Sequence, residues 1–239
     1  MLKNYFRSAL FYIVYISSGI ITGIVGCLFC PFMSINYRLK FLSYWPKFIN
    51  WILYKLCDIE FEVIGQENIP EAPFVVVSNH QGQWETFFYQ YFFFPLTTLL
   101  KRELLFIPIW GWALALLRPI AINRGSPRRA LKKTILEGEK RIKSGFIFLN
   151  FPEGTRNNPG EVGNYARSGF ELAIKTQVPV LPLAHNSGDI WPAHKFLKYP
   201  GKLKLIIGKP LVNLENSSKA AKETEAWTKL MLKKIRYPS

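Results

Sequence analysis

The chain has 239 residues, enough for one large domain with a hydrophobic core. Hydrophobic residues form 49% and aromatic residues 15% of the sequence, a composition that excludes a globally disordered chain. The formal net charge of +15 indicates a polyanionic partner, either a nucleic acid or an anionic membrane surface.

The first 57 residues favour the membrane over a nucleic acid. Nucleic-acid-binding arms are seldom apolar, whereas this stretch combines bases with many apolar and aromatic residues and contains no Asp or Glu. The 25 residues from Ala9 to Met33 carry no charge, so they are long enough to span a bilayer, and lying along its surface remains the alternative. Gly19 and Gly23 have the spacing of a helix-packing pair.

The next segment, residues 36–57, intersperses bases with aromatic side chains and predicts an amphipathic interfacial helix that breaks or begins near Pro46. Acidic residues first appear at Asp58, so we predict a membrane-anchoring helical segment over residues 1–57 and a separate domain over 58–239.

The chain has three cysteines, an odd number, and all lie in apolar surroundings. We therefore expect them to act as small buried hydrophobic residues rather than to form a disulfide framework or a metal site.

Beyond residue 58, short apolar runs alternate with helical stretches. Six runs predict strands: residues 59–64, 74–78, 119–123, 146–151, 178–183 and 203–208. Helices are predicted over about 126–143, 169–176 and 219–235. The alternation predicts an α/β fold: a central mixed, largely parallel sheet flanked by helices, preceded by the N-terminal membrane-associated helical pair.

Four polar loops follow predicted strands, and ligands of such sheets bind outside the carboxyl ends of the strands. The first loop, "SNHQGQWE", contains His80 and Glu85. A histidine acts as a general base when a carboxylate fixes its tautomer and stabilises the imidazolium. The spacing leaves two interpretations open, a dyad joined through a turn at Gly82 or a Glu85 that only complements a helix start. His185 with Asp189 is a similar pair and competes for the same role.

The loops "FPEGTR" and "NRGSP" carry the groups that bind a phosphate monoester. The first presents Gly154 and Arg156, the second presents Arg124 beside a helix start, and Lys101 adds charge. The alternative for the first loop is a solvated turn closed by a Glu153–Arg156 ion pair. The chain contains no G-x-S-x-G, H-E-x-x-H or Walker motif, which suggests that the substrate supplies the attacking hydroxyl. The aromatic stretch "TFFYQYFFFP" predicts helical core or, alternatively, an apolar groove beside the histidine.

These motifs make the chain resemble the glycerolipid acyltransferases, specifically the bacterial 1-acylglycerol-3-phosphate (lysophosphatidate) acyltransferase type. Four blocks carry the resemblance in the family's order over about residues 58–210: "NHQGQWE", "RPIAINR", "FPEGTR" and "VPVLPL". The first block decides for His80 over His185. The chain departs from the family pattern at Glu85, where most members have Asp, at Asn123, which replaces an Asp, and at Arg118, where Gly is common.

The resemblance implies transfer of a fatty acyl group from acyl-CoA or acyl carrier protein to the free hydroxyl of lysophosphatidate, giving phosphatidate. His80 would act as the base and Glu85 would orient it, while backbone amides near Gly82 would stabilise the oxyanion. Six residues would hold the substrate: Lys101, Arg124, Glu153, Gly154, Thr155 and Arg156. The resemblance implies no metal and no cofactor. At Arg118, a bulky side chain would alter acceptor preference.

The resemblance also makes residues 58–239 the catalytic domain. It implies a bacterial inner-membrane location, with that domain facing the cytoplasm and anionic lipids rather than nucleic acid as partners. Three rivals stay open: transfer to another lysolipid, hydrolysis of the thioester, and non-catalytic binding to membranes. For His185 we predict a structural hydrogen bond, and we assign no role to His194.

Overall fold

A computed structural model of the chain describes residues 1–123 and 125–237. Two long helices open it, α1 (Leu2–Phe29) and α2 (Ile35–Cys57). Seven strands follow: β1 (Ile59–Ile64), β2 (Val75–Ser78), β3 (Leu96–Lys101), β4 (Ile120–Ile122), β5 (Ile147–Asn150), β6 (Val180–His185) and β7 (Gly201–Ile207). The other helices are α3 (Trp84–Phe92), α4 (Trp110–Leu116), α5 (Pro127–Lys143), α6 (Ser168–Thr176), α7 (Ser187–Ile190) and α8 (Ser217–Arg236).

The seven strands form one sheet in the order β1-β7-β6-β2-β5-β3-β4. All neighbours pair in parallel except β6 and β7, which are antiparallel. The mixed, largely parallel sheet with flanking helices that the sequence predicted is therefore confirmed. Because β2 to β6 run in the same direction, their carboxyl ends and the loops that follow them lie at one edge.

The sheet is buried on both faces, which explains the continuous apolar runs of its strands. In β2, Val76 points into the core formed with α1, α2 and α3, whereas Val75 and Val77 point into the core formed with α5, α6 and α8. All three side chains are fully buried. The loop that follows β2 is therefore held on a strand packed from both sides.

Strand β3 (Leu96–Lys101) and helix α4 (Trp110–Leu116) were not predicted from the sequence. Thr97 and Thr98 interrupt the apolar run of β3, so its pattern is less clear than that of β2 or β5. Pairing with β5 and β4 on either side forms the strand, and Thr97 is buried there at 2% exposure. Pairing with neighbouring strands, rather than the local sequence pattern, therefore determines that residues 96–101 form a strand.

The predicted break at Pro46 is wrong, because α2 continues through it from Ile35 to Cys57. A proline within a helix removes one backbone hydrogen bond at a cost of about 3 kcal/mol. Here Leu42, Ile49 and Leu53 are buried on both sides of the proline, and the Asn50 side-chain amide donates to the Pro46 carbonyl at 2.9 Å. Packing of the apolar face outweighs the local penalty.

The segment Leu2–Phe32 is long and apolar enough to cross a membrane, with a mean hydropathy of 2.1, and only 22% of its most apolar window is buried. Its inner face packs on the rest of the molecule. A Cβ at Gly19 would lie 2.5 Å from the Trp110 ring, and one at Gly23 would lie 2.8 Å from Ile109, so the pair does mediate helix packing, between α1 and α4. Phe11 joins the same core as α2 and α3. The division into segments 1–57 and 58–239 stays a prediction.

Candidate active site

His80 lies in the loop between β2 and α3, at the sheet edge where the parallel strands end. The loop turns tightly at Gly82, whose Cβ in any other residue would lie 2.6 Å from the Trp191 carbonyl oxygen. Glycine is therefore required here for close backbone approach. This turn brings the start of α3 back towards the imidazole.

The predicted contact between His80 and Glu85 is present. Nδ1 of His80 donates to Oε1 of Glu85 at 2.9 Å, and the Glu85 side chain is completely buried. An ionised carboxylate only accepts, so the proton of the neutral ring is on Nδ1 and Nε2 keeps its lone pair. The longer acid of this chain thus reaches the imidazole without loss of the contact, in the geometry that a general base requires.

Glu85 accepts hydrogen bonds on both of its oxygens. Oε1 also accepts from the backbone amides of Gln81 at 2.9 Å and Gly82 at 2.8 Å, and Oε2 accepts from the Ser187 hydroxyl at 2.7 Å. Burial opposes ionisation, but the hydrogen bonds from the His80 ring and the Ser187 hydroxyl favour the charged form, and the pKa of Glu85 lies well below its ordinary range. The dyad therefore contains a permanent carboxylate.

These contacts change the predicted source of oxyanion stabilisation. The amides of Gln81 and Gly82 point at Glu85 and are occupied there. They bind the orienting carboxylate instead of a developing oxyanion, so the expectation that amides near Gly82 form the oxyanion hole is wrong for this conformation.

The ring of His80 is fixed from two further directions. It stacks on Phe151, the first residue after β5, with 4.1 Å between ring centroids and 15° between planes. Its backbone N–H donates to Oε1 of Glu153 at 2.8 Å, and its carbonyl accepts from the Asn157 amide at 2.9 Å. The "FPEGTR" loop thus holds the histidine loop in place.

Glu153 and Thr155, two of the predicted substrate contacts, do not line the cavity beside His80. The Glu153 carboxylate accepts from His80, from the Gly163 amide at 2.8 Å and from the Asn157 side chain, so its oxygens are bound within the protein. Burial raises its pKa against these hydrogen bonds. Thr155 is exposed, and neither residue belongs to the wall of the cavity beside His80. The carboxylate of Glu153 thus links the "FPEGTR" loop to the loop that carries His80.

A cavity of about 1070 Å³ lies beside His80. Part of its wall is apolar and comes from the N-terminal helices, α3 and α4, with Tyr15, Trp45, Phe87, Trp110 and Leu114 among its residues. Another part is basic and includes Lys101, Arg156, Arg167 and Lys222. Gly154 also lines the cavity, in a turn with φ +67°. The predicted contact residue Arg124 lies outside the described residues.

The sequence offered His185, paired with Asp189, as a competitor of His80 for the role of general base. His185 does not contact Asp189, which pairs with Arg236 at 3.3 Å; instead Nε2 of His185 donates to the Asn79 carbonyl at 2.9 Å. The structural hydrogen bond predicted for His185 is present.

Arg118 precedes β4 and therefore lies at the amino end of the sheet, opposite to His80, where its carbonyl accepts from Thr97. Arg118 is not among the residues that line the cavity, although its neighbours Leu117 and Pro119 are, so its effect on acceptor preference stays a prediction.

Three residues of the site were not predicted from the sequence: Phe151, although it begins the "FPEGTR" motif, Asn157 and Ser187. Phe151 and Asn157 contact His80 from the loop after β5, whereas Ser187 contacts Glu85 from the segment after β6, 102 positions away. No spacing rule in the sequence connects the hydroxyl of Ser187 with the carboxylate of Glu85 on α3. Such contacts follow only from the strand order of the sheet.

Comparison with known proteins agrees with this architecture. The acyltransferase family model matches residues 60–186. The chain is 42% identical to the 1-acyl-sn-glycerol-3-phosphate acyltransferase of Pseudomonas aeruginosa, over 92% of this chain and 88% of that protein. It is 31% identical to the chloroplastic 1-acyl-sn-glycerol-3-phosphate acyltransferase of Arabidopsis thaliana, over 76% of this chain and 52% of that protein.

A solved structure shares the whole fold. The crystal structure of the 1-acyl-sn-glycerophosphate (LPA) acyltransferase PlsC from Thermotoga maritima superposes with a TM-score of 0.82 at 26% identity, covering 100% of this chain and 98% of that one. The resemblance inferred from the four motifs is confirmed. With a family model over more than half of its length and a 42% identical relative along most of it, the chain belongs to the acyltransferase family.

Proposed function

We propose that the protein transfers a fatty acyl group from a thioester donor, acyl-CoA or acyl carrier protein, to the free hydroxyl of lysophosphatidate, giving phosphatidate. The observation that carries this proposal is the His80–Glu85 dyad at the wall of a cavity that is basic on one side and apolar on the other. Relatives named 1-acyl-sn-glycerol-3-phosphate acyltransferases support the same acceptor.

The geometry of the dyad supports the chemical step. Nε2 of His80 takes the proton of the acceptor hydroxyl while its oxygen forms a bond to the thioester carbonyl carbon. The tetrahedral intermediate collapses, the C–S bond breaks, and the departing sulfur takes the proton back from Nε2. Glu85 keeps the other ring proton on Nδ1 and stabilises the imidazolium between the two transfers.

The basic wall suits the phosphate of the acceptor. Arg156 has a buried Nε with no hydrogen-bond partner among the described residues, and neither it nor Lys101 contacts a carboxylate there. We assign the phosphate to Arg156, Lys101 and the turn at Gly154, and from the sequence also to Arg124. The apolar wall formed by α1 to α4 suits an acyl chain.

The N-terminal helices suit the place where these lipids occur. Their inner faces line the cavity, and their outer faces expose apolar side chains, with Phe6, Ile21 and Phe32 at 71%, 62% and 89% exposure. Lys and Arg without any acid along residues 1–57 attract anionic headgroups. These features support membrane association, and we propose that the protein acts at the bacterial inner membrane with its active site on the cytoplasmic side.

An acyl-transfer assay tests the proposal. The protein in mixed micelles receives a labelled acyl-CoA or acyl carrier protein and one of three acceptors: lysophosphatidate, monoacylglycerol or lysophosphatidylglycerol. Phosphatidate as the main product with either donor supports the proposed function. Preferential acylation of another acceptor, release of free fatty acid alone, or binding to anionic vesicles without any product would each contradict it.

A further inference from the structure

Ser187 lies at the start of the short helix α7, directly after β6, and is completely buried. Its hydroxyl has one hydrogen-bond partner among the described residues, Oε2 of Glu85 at 2.7 Å, to which it must donate. Within residues 1–123 and 125–237 it is the one donor to that oxygen, because His80, Gln81 and Gly82 all donate to Oε1. The second oxygen of the buried carboxylate thus depends on a single side chain from another loop.

The backbone of Ser187 is fixed by the second histidine. Its amide donates to Nδ1 of His185 at 3.2 Å, while Nε2 of His185 donates to the Asn79 carbonyl. Asn79 and His185 also bind each other through two bonds, of 2.9 and 3.1 Å, between side-chain amide and backbone groups. His185 is therefore neutral with its proton on Nε2, and burial lowers its pKa accordingly. The chain of contacts ties the end of β6 to the residue before His80.

These contacts give Ser187 two effects on the dyad. A donor on Oε2 prevents the carboxylate from rotating about its terminal torsion, so Oε1 stays in line with Nδ1 of His80. It also lowers the basicity of Glu85, because each donor takes up part of the carboxylate charge. The ring proton then remains on Nδ1 when the imidazolium forms, and Nε2 is the nitrogen that exchanges protons with the substrate.

We propose that Ser187 is a positioning residue of the acyl-transfer reaction, which acts through Glu85 to fix the orientation and tautomer of His80. The proposal rests on the proposed function in that His80 is the base. A residue that merely filled space in the core would stabilise the fold without any specific relation to Glu85 or to the ring of His80.

A double-mutant cycle separates these roles. Ser187→Ala deletes only the hydroxyl and keeps the amide that binds His185. We expect it to lower kcat about tenfold, the scale of one hydrogen bond to a charged group, with the KM for lysophosphatidate within about twofold. In a Glu85→Gln background the same change should cost less than about twofold, because the charged partner is gone. Equal losses in both backgrounds, or an unchanged kcat in the Ser187→Ala protein, would overturn the proposal.

The imidazole nitrogens provide a second readout that needs no turnover. In histidine-labelled protein, long-range nitrogen–proton spectra should show His80 protonated on Nδ1 and His185 on Nε2. Ser187→Ala should shift the His80 signals and leave those of His185 in place. Unshifted His80 signals would reject the role of Ser187. If the wild type transfers no acyl group, the proposed function fails, and these spectra still decide whether Ser187 acts on His80.

A buried hydroxyl far from the dyad provides the control. Thr228 on α8 accepts from the Tyr165 hydroxyl at 3.1 Å and is completely buried. Thr228→Val should lower the melting temperature to a similar extent as Ser187→Ala while leaving kcat and the His80 signals unchanged. An equal loss of kcat in both variants would show that the Ser187 effect is one of general stability, and would overturn the proposal.

Discussion

Two sides of the same cavity hold their polar groups in opposite ways. On the dyad side, every oxygen of Glu85 and Glu153 is bound by a protein donor, and His80 is fixed by stacking and by hydrogen bonds of its ring and backbone. On the basic side, Lys101, Arg156 and Lys222 have no carboxylate partner in the described part of the chain.

This difference indicates that the dyad side of the cavity carries out the reaction and the basic side binds the substrate. A general base must keep one geometry through the reaction, so its partners are built into the protein and cost no reorganisation when charge develops. Cations that bind a phosphate gain their partner only with the substrate, and until then they contribute repulsion to the folded chain. Substitutions on the two sides should therefore affect different kinetic constants.

The largest effect is expected from the dyad. Glu85→Gln keeps the size of the side chain but removes the charge that stabilises the imidazolium and fixes its tautomer, so we expect kcat to fall roughly 100-fold. The measurement is the initial rate of phosphatidate formation at saturating substrates. Glu139→Gln, a matched change on the exposed surface of α5, should stay within about twofold. A Glu85→Gln protein that retains more than a third of the wild-type kcat would refute the role of the carboxylate.

On the basic side the expected effect is on KM. Arg156→Ala removes a guanidinium that faces the cavity, and we expect the KM for lysophosphatidate to rise roughly 10- to 100-fold, with kcat changed less than about threefold. Arg156→Lys keeps the charge and should recover part of the loss, because the planar fork is absent. A fall in kcat at unchanged KM would show instead that Arg156 belongs with the dyad.

A buried cation outside the cavity gives a smaller effect, on stability alone. Lys198 is 2% exposed; it donates to the Phe196 carbonyl at 2.8 Å, and its Nζ lies 3.7 Å from the Tyr12 ring centroid. Burial lowers its pKa from 10.5 to about 7, so between these values the unfolded chain binds more protons and stability rises with pH.

Lys198→Met should remove this dependence while filling the same aromatic enclosure. Thermal unfolding of both proteins between pH 7 and 9 measures it, and the wild type should gain up to about 1.4 kcal/mol per pH unit relative to the variant. Parallel pH profiles for the two proteins would mean that the ring faces keep Lys198 charged throughout this range.

The smallest effect is expected at Thr155. Its side chain is exposed and does not line the cavity, although it belongs to the "FPEGTR" motif. Thr155→Ala should change kcat and KM by less than about twofold. A tenfold rise in KM would show that the loop moves to bring Thr155 onto the phosphate when the substrate binds.

The sequence allowed the catalytic pair and most of the sheet to be predicted, since both rest on local patterns. Val75 to Val77 form an apolar run that only a strand buried on both faces explains, and His80 lies at the end of that run. Strand β3 was missed because Thr97 and Thr98 break the pattern, and only pairing with β5 determines it. The continuous α2 likewise depends on tertiary packing around Pro46.

The contacts that refine the site were not predictable for the same reason. Glu153 and Ser187 reach the histidine loop from 73 and 102 positions away, and their targets are backbone amides and a second carboxylate oxygen. No spacing rule encodes such pairs. The predicted oxyanion hole failed because the sequence does not show which way the amides of Gln81 and Gly82 point.

The central claim, that His80 removes the proton from the acceptor, is tested most directly by the kcat of His80→Ala in phosphatidate formation. We predict a loss of roughly 1000-fold with an unchanged melting profile, whereas His194→Ala should match the wild type. Retention of even a tenth of the wild-type rate by His80→Ala would contradict the claim and require another group in this cavity to act as the base.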